Sequence, residues 1–117
     1  MACGRNPSGF LIYTHEARMT AIISYSGRNR LSGADRIASP PDERATAFAT
    51  FFAYGGRYTM TGNKITHHVE VASVENWVKT DLVRTIKLEG DRMTLITPPL
   101  SVGGRMQTTE LVWERLH

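Results

Sequence analysis

From Arg57 onward the chain carries strand signals alone: apolar residues fall at every second position in short runs, and each run stops at a turn. Arg57 to Thr61 and Lys64 to Ser73 flank Gly62-Asn63, a pair whose backbone accepts positive φ and so suits a tight hairpin. Thr80 to Leu88 and Arg92 to Thr97 flank Glu89-Gly90-Asp91, and a last run from Met106 to Arg115 follows the Pro98-Pro99 and Gly103-Gly104 breakers. Strands joined this tightly pair antiparallel. They must curl to bury one face, as a barrel or as a sandwich.

Two further runs of period two open the chain, Gly9 to Thr14 and Arg18 to Tyr25, joined by His15-Glu16-Ala17 as a hairpin. Downstream, in Ser39-Pro40-Pro41-Asp42-Glu43, Ser39 can cap a helix, proline suits its first turn, and the acids sit where the helix dipole favours them. The spacing predicts a helix from Pro41 to Tyr54, with Ala45, Phe48, Ala49, Phe52 and Ala53 on a face turned to the sheet and Gly55-Gly56 ending it. The expectation is an all-β domain of seven strands, with one helix inserted after the second.

A chain of 117 residues fits one domain, residues 1–117, with a core that buries about two-thirds of the unfolded chain's surface. Apolar residues at 41% and charged residues at 21% suit a folded domain and leave no long disordered segment. No apolar run reaches the ~18 residues of a membrane helix, and Met1 to Gly9 holds no hydrophobic stretch of a signal peptide, so the expected compartment is the cytoplasm. The one cysteine, Cys3, can form neither an internal disulfide nor a cysteine-rich metal site. Lys and Arg outnumber acids 14 to 11, a net charge of +3, yet the cations are scattered singly beside turns, which argues against nucleic acid. Arg28, Arg30 and Arg36, in the Gly/Ser-rich segment Ser26 to Arg36, read as a surface loop before they read as an anion site.

Alternation then assigns side chains to faces. Ile65, His67, Val69 and Val71 share one face, and Leu82, Arg84, Ile86 and Leu88 form the apolar face of the next strand, so His67 and Arg84 both point inward. A guanidinium there needs a hydrogen-bonding partner, within the protein or on an anionic or carbonyl-bearing ligand. His67 and His68 point to opposite faces and cannot readily converge on one ion, so no metal site is expected. Within an apolar wall, a histidine is either structurally satisfied or a proton-transfer group. Glu70 and Glu110 lie on polar faces and form no carboxylate pair. Tyr58 shares a face with Met60, Trp113 with Leu111 and Thr109, and Tyr25 with Ile23, Ala21 and Met19, faces that serve as core and as cavity wall. Trp77, between two strands, belongs at a barrel mouth, and the helix with Phe48, Phe51 and Phe52 is placed to close one end. Without a nucleophile elbow, a phosphate-binding glycine loop or a dinucleotide fingerprint, nucleotide-dependent and covalent hydrolase chemistry is not expected, and no cofactor is implied.

Gly9-Phe10-Leu11-Ile12-Tyr13-Thr14, the Ser39 to Glu43 helix start, Ala53 to Tyr58, Thr66-His67-His68-Val69-Glu70, Asn76-Trp77, Thr80-Asp81 with Arg84, Gly90-Asp91-Arg92 with Leu95, Thr97-Pro98-Pro99 and Leu111 to Arg115 follow one another with a distinctive spacing. In these motifs, over essentially its whole length, the chain resembles the lipocalin-like domain family, small bacterial and fungal barrels of the calycin type. The resemblance implies an antiparallel barrel of seven to eight strands around a cavity for a small, mostly hydrophobic molecule. It also implies an internal arginine packed as a latch on the tryptophan that closes the barrel. Members usually begin with a further strand carrying a Gly-x-Trp motif, which this sequence lacks. A homodimer paired through the exposed edge, a flattened open barrel, or a sequence that starts downstream of that strand would each account for this, and the dimer is the favoured expectation. The expected function is small-molecule binding, with His67, Arg84, Tyr58, Trp77, Trp113 and Phe52 as ligand contacts. The alternative is a cofactor-free cyclase or isomerase acting on a polyketide- or terpenoid-like molecule, with His67, Arg84 and Tyr58 handling protons and charge.

Overall fold

The computed structural model describes residues 7–115, apart from the side chains of Leu100 and Val102. Cys3 therefore lies outside the described residues. The opening hairpin forms as expected from β1 (Ser8–Tyr13) and β2 (Arg18–Ser24), with Ile12 opposite Thr20 and Phe10 opposite Ile22.

Helix α1 (Pro41–Ala49) is shorter than its sequence pattern predicts, because Phe51 to Tyr54 extend in β3 (Phe51–Thr61). The β2 ladder decides this, with Ser24 opposite Phe51 and Ala21 opposite Tyr54, since tertiary pairing outweighs a modest helical periodicity. Proline does occupy the first turn, beside Asp42 and Glu43. Pro40 stands at the N-cap, while Ser39 spends its hydroxyl on the Asp35 carbonyl at 2.8 Å. No residue of α1 is buried and Phe48 is 58% exposed, so this helix does not seal the barrel. Its C-terminal end is held by Arg28, which donates to Thr50 Oγ1 (3.0 Å) and the Ala47 carbonyl (3.2 Å) and stacks over Phe51. A cation suits that end of a helix dipole.

β3 turns through Gly62, at φ 60°, into β4 (Lys64–Ala72). The register shifts between Gly55 and Gly56: Gly56 faces Val69 and Gly55 faces Val71, so Glu70 is an extra residue, a β-bulge. A Cβ on Gly56 would run into the His68 carbonyl, so only glycine fits that approach. The bulge corrects the alternation read from sequence, because beyond it Val71 turns outward, 68% exposed, and Ala72 packs on the core.

A 3-10 turn (Glu75–Trp77) leads to β5 (Asp81–Glu89) and β6 (Arg92–Ile96). The single last run expected from Met106 is divided between β8 (Arg105–Gln107), which pairs with β7 (Leu100–Val102) as a separate hairpin, and β9 (Glu110–Glu114), which rejoins the sheet on β6. Thr97 and Thr109 pinch that insertion at its base: each backbone N–H donates across, to the Thr109 carbonyl and to Thr97 Oγ1, both at 2.9 Å.

The sheet order is β1-β2-β3-β4-β5-β6-β9, every pairing antiparallel, in a nearly closed seven-stranded barrel. Because seven is odd, β1 and β9 run in the same direction, and among the described residues neither has a partner on its outer edge. Antiparallel closure would require one more strand between them. The interior is filled by two clusters, one around Met19, Ala21, Tyr54 and Val69, the other around Ile65, Ile86 and Leu95.

Candidate functional site

The unpaired edges of β1 and β9 leave an open cavity of about 920 Å³. Leu11, Tyr13, Ile23, Met93, Leu111 and Trp113 supply its inner wall, and Phe10, Ile12, Leu88 and Val112, all more than half exposed, form its outer rim. Most of that surface is apolar, and the volume falls in the range of small-molecule pockets. Arg92, Glu114 and Arg115 stand at one end, the first two as an exposed ion pair at 3.6 Å.

Behind this wall lies a cluster of polar side chains. His67 points inward, as alternation requires, and is wholly buried. Its ring is held between two phenols, with Tyr13 Oη 2.6 Å from Nε2 and Tyr54 Oη 2.8 Å from Nδ1. Burial, reinforced by the positive charge of Arg84 and then by His68, lowers the His67 pKa to about 4, so the ring is neutral at ordinary pH. Burial likewise raises Tyr13, with Tyr54 and Tyr58 adding to the effect, and raises Tyr54 against the opposing influence of Arg84. The cluster is therefore uncharged except for Arg84.

Arg84 also points inward and is half-buried. Its guanidinium donates to the Val83 carbonyl at 3.1 Å, and among the described residues no carboxylate pairs with it. Its charge acts on Tyr13, Tyr54 and His67, and it adds a hydrogen-bonding influence at the Tyr54 hydroxyl. The cation–π contact among the described residues is Arg28 over Phe51.

Of the other expected contacts, Trp113 lies on the cavity wall, and its buried Nε1 has no hydrogen-bond partner among the described residues. Tyr58 packs edge-on against Tyr13 at 4.8 Å between ring centroids and donates its hydroxyl to the Thr14 carbonyl at 2.9 Å. Trp77 meets Phe52 and Tyr54 edge-on at 5.5 and 5.9 Å, so Trp77 and Phe52 pack with the interior cluster, away from the cavity between the edges. His68 points outward, between Thr59 Oγ1 (3.0 Å) and Asp81 Oδ1 (2.9 Å), and Glu70 pairs with Arg18 and Arg57 on the outer face. The described residues contain no cluster of three metal-ligating side chains.

Tyr13 and Tyr54 are not among the site residues expected from sequence. Tyr13 alternates in phase with Leu11 along the first strand, a pattern that places it inward, whereas Tyr54 falls at the end of the expected helix, where alternation does not apply.

The chain matches the sequence model of the lipocalin-like domain family over residues 1–116. It is 29% identical over 107 residues to the 4'-hydroxy-3'-methoxypropiophenone carrier protein ppsC of Aspergillus oryzae, an alignment that covers 84% of this chain and 96% of that protein. No solved structure gives a significant match. Sequence match and seven-stranded antiparallel barrel agree, and the chain belongs to the lipocalin-like domain family.

Proposed function

We propose that this protein binds and carries a small, mostly hydrophobic molecule in the cavity between β1 and β9. The observation that carries the reading is the apolar wall of that cavity, open to solvent and backed by a few polar groups. The similar carrier protein, named for an aromatic ketone, supports the same class of ligand. His67, Arg84 and Tyr58 would shape the polar side of the site, Trp113 its wall, and Trp77 with Phe52 the packing behind it. Native mass spectrometry of the purified protein, together with titration of hydrophobic fluorescent probes, tests the reading: a retained small molecule and saturable probe binding are expected. Absence of both would sink it.

A second reading, a cofactor-free cyclase or isomerase, is favoured by the Tyr13–His67–Tyr54 contacts, which could move a proton without creating a buried charge. His67→Gln and Arg84→Met would then abolish turnover of a cognate substrate in a folded protein, and full activity in both variants would count against these roles. We further propose a homodimer paired through the free edges of β1 or β9, because an unpaired edge invites another strand. Light scattering at micromolar concentration should give twice the 13.1 kDa chain mass, and a monomer at all concentrations refutes it. The location we propose is the cytoplasm, where a lone cysteine stays reduced, and cell fractionation checks it.

A further inference from the structure

We infer that Tyr54, His67 and Tyr13 form a hydrogen-bond chain of fixed direction, ending at the cavity wall in a Tyr13 hydroxyl that donates to an oxygen acceptor on the bound molecule. The inference deepens the binding reading above and rests on it.

The direction follows from counting protons. A neutral imidazole carries one N–H and one lone pair, so with a phenol at each nitrogen of His67, one phenol donates to the ring and the other accepts from it. Burial breaks the symmetry. Tyr54 is 7% exposed, whereas Tyr13 lines the open cavity. If Tyr54 accepted from Nδ1–H, its own proton would need a second acceptor in the core, and among the described residues its hydrogen-bond partner is His67; the positive charge of Arg84, which acts on Tyr54, offers no acceptor. With Tyr54 donating to Nδ1, every proton of the inner cluster is used: Tyr54 donates to Nδ1, and Nε2–H donates to the Tyr13 oxygen. That leaves the Tyr13 O–H. Among the described residues its hydrogen-bond partner is His67, and of the three side chains it is Tyr13 that lines the cavity.

Each donation polarises the next, so the terminal O–H is a better donor than an isolated phenol. The arrangement selects a carbonyl, ester or enolate oxygen over a hydrocarbon of the same shape. A buried donor left unmatched costs more than the net worth of the bond it could have made, which is what separates the two.

The direction can be read without any ligand. In protein with labelled histidine, long-range proton–nitrogen correlation, with His67 assigned by its loss in His67→Gln, should show Nε2 protonated and Nδ1 bare. The opposite tautomer overturns the inference. The donor role is tested with 1-acetylnaphthalene and its hydrocarbon analogue 1-ethylnaphthalene. Tyr13→Phe keeps the ring and removes the hydroxyl, so affinity for the ketone should fall about tenfold and that for the hydrocarbon less than about twofold. Equal weakening of both, or of neither, overturns it. If the wild type binds neither probe, the cavity reading and the donor role fail together, while the tautomer measurement still decides the chain.

Discussion

His67 ties the stability of the barrel to pH. Its ring stays neutral in the folded protein down to about pH 4, whereas in the unfolded chain it takes up a proton near 6.5. Between those values the unfolded state binds more protons, so stability falls as pH drops through the window and levels off below it. The loss is of order 3 kcal/mol at its limit. Urea midpoints from pH 7.5 to 4 should show this slope, and His67→Gln should flatten it; equal slopes in both proteins would show that the ring is not held neutral by burial. Tyr54→Phe leaves Nδ1 with no hydrogen-bond partner inside the core and should cost about 1–3 kcal/mol in the same assay.

The bulge between β3 and β4 decides which side chains reach the interior. Ile65 and Val71 share a face by strict alternation, yet Ile65 is 2% exposed and Val71 68%. Ile65→Ala should therefore cost about 2–5 kcal/mol, and Val71→Ala less than about 0.5 kcal/mol. Comparable costs at the two positions would argue that the bulge is absent in solution. Gly56→Ala forces a methyl group against the backbone of β4 and should lose about 1–3 kcal/mol by moving the strands apart. Helix α1 behaves differently: it buries no side chain, so Phe48→Ala should change the unfolding midpoint little, by less than about 0.5 kcal/mol.

Over the whole molecule, the odd strand number sets the mechanical weak point. β1 and β9 are laddered on one side alone, so their outward amides should exchange with deuterium fastest among the strands of the main sheet, and those of β3 and β4 slowest. Saturation with 1-acetylnaphthalene should slow exchange along β1 and β9 and raise Tm in a concentration-dependent way, as expected for a ligand that binds the folded state. Uniform exchange across the sheet, unaltered by the probe, would place binding elsewhere.

The sequence by itself determined the class of fold and the three hairpin pairs, because hairpin turns such as Gly62-Asn63 and period-two alternation are local properties of the chain. It also split His67 from His68, since neighbouring residues on a strand must face opposite ways. Tertiary structure decided the rest. Phe51 to Tyr54 became strand because β2 offered them a ladder, Val71 left the core because a bulge opposite two glycines shifted its register, and β9 was separated from β8 by a hairpin outside the sheet. The meeting of Tyr13, Tyr54 and His67 belongs to this second group. Those residues come from three strands up to 54 positions apart, and only closure of the sheet around one interior brings them within hydrogen-bond distance.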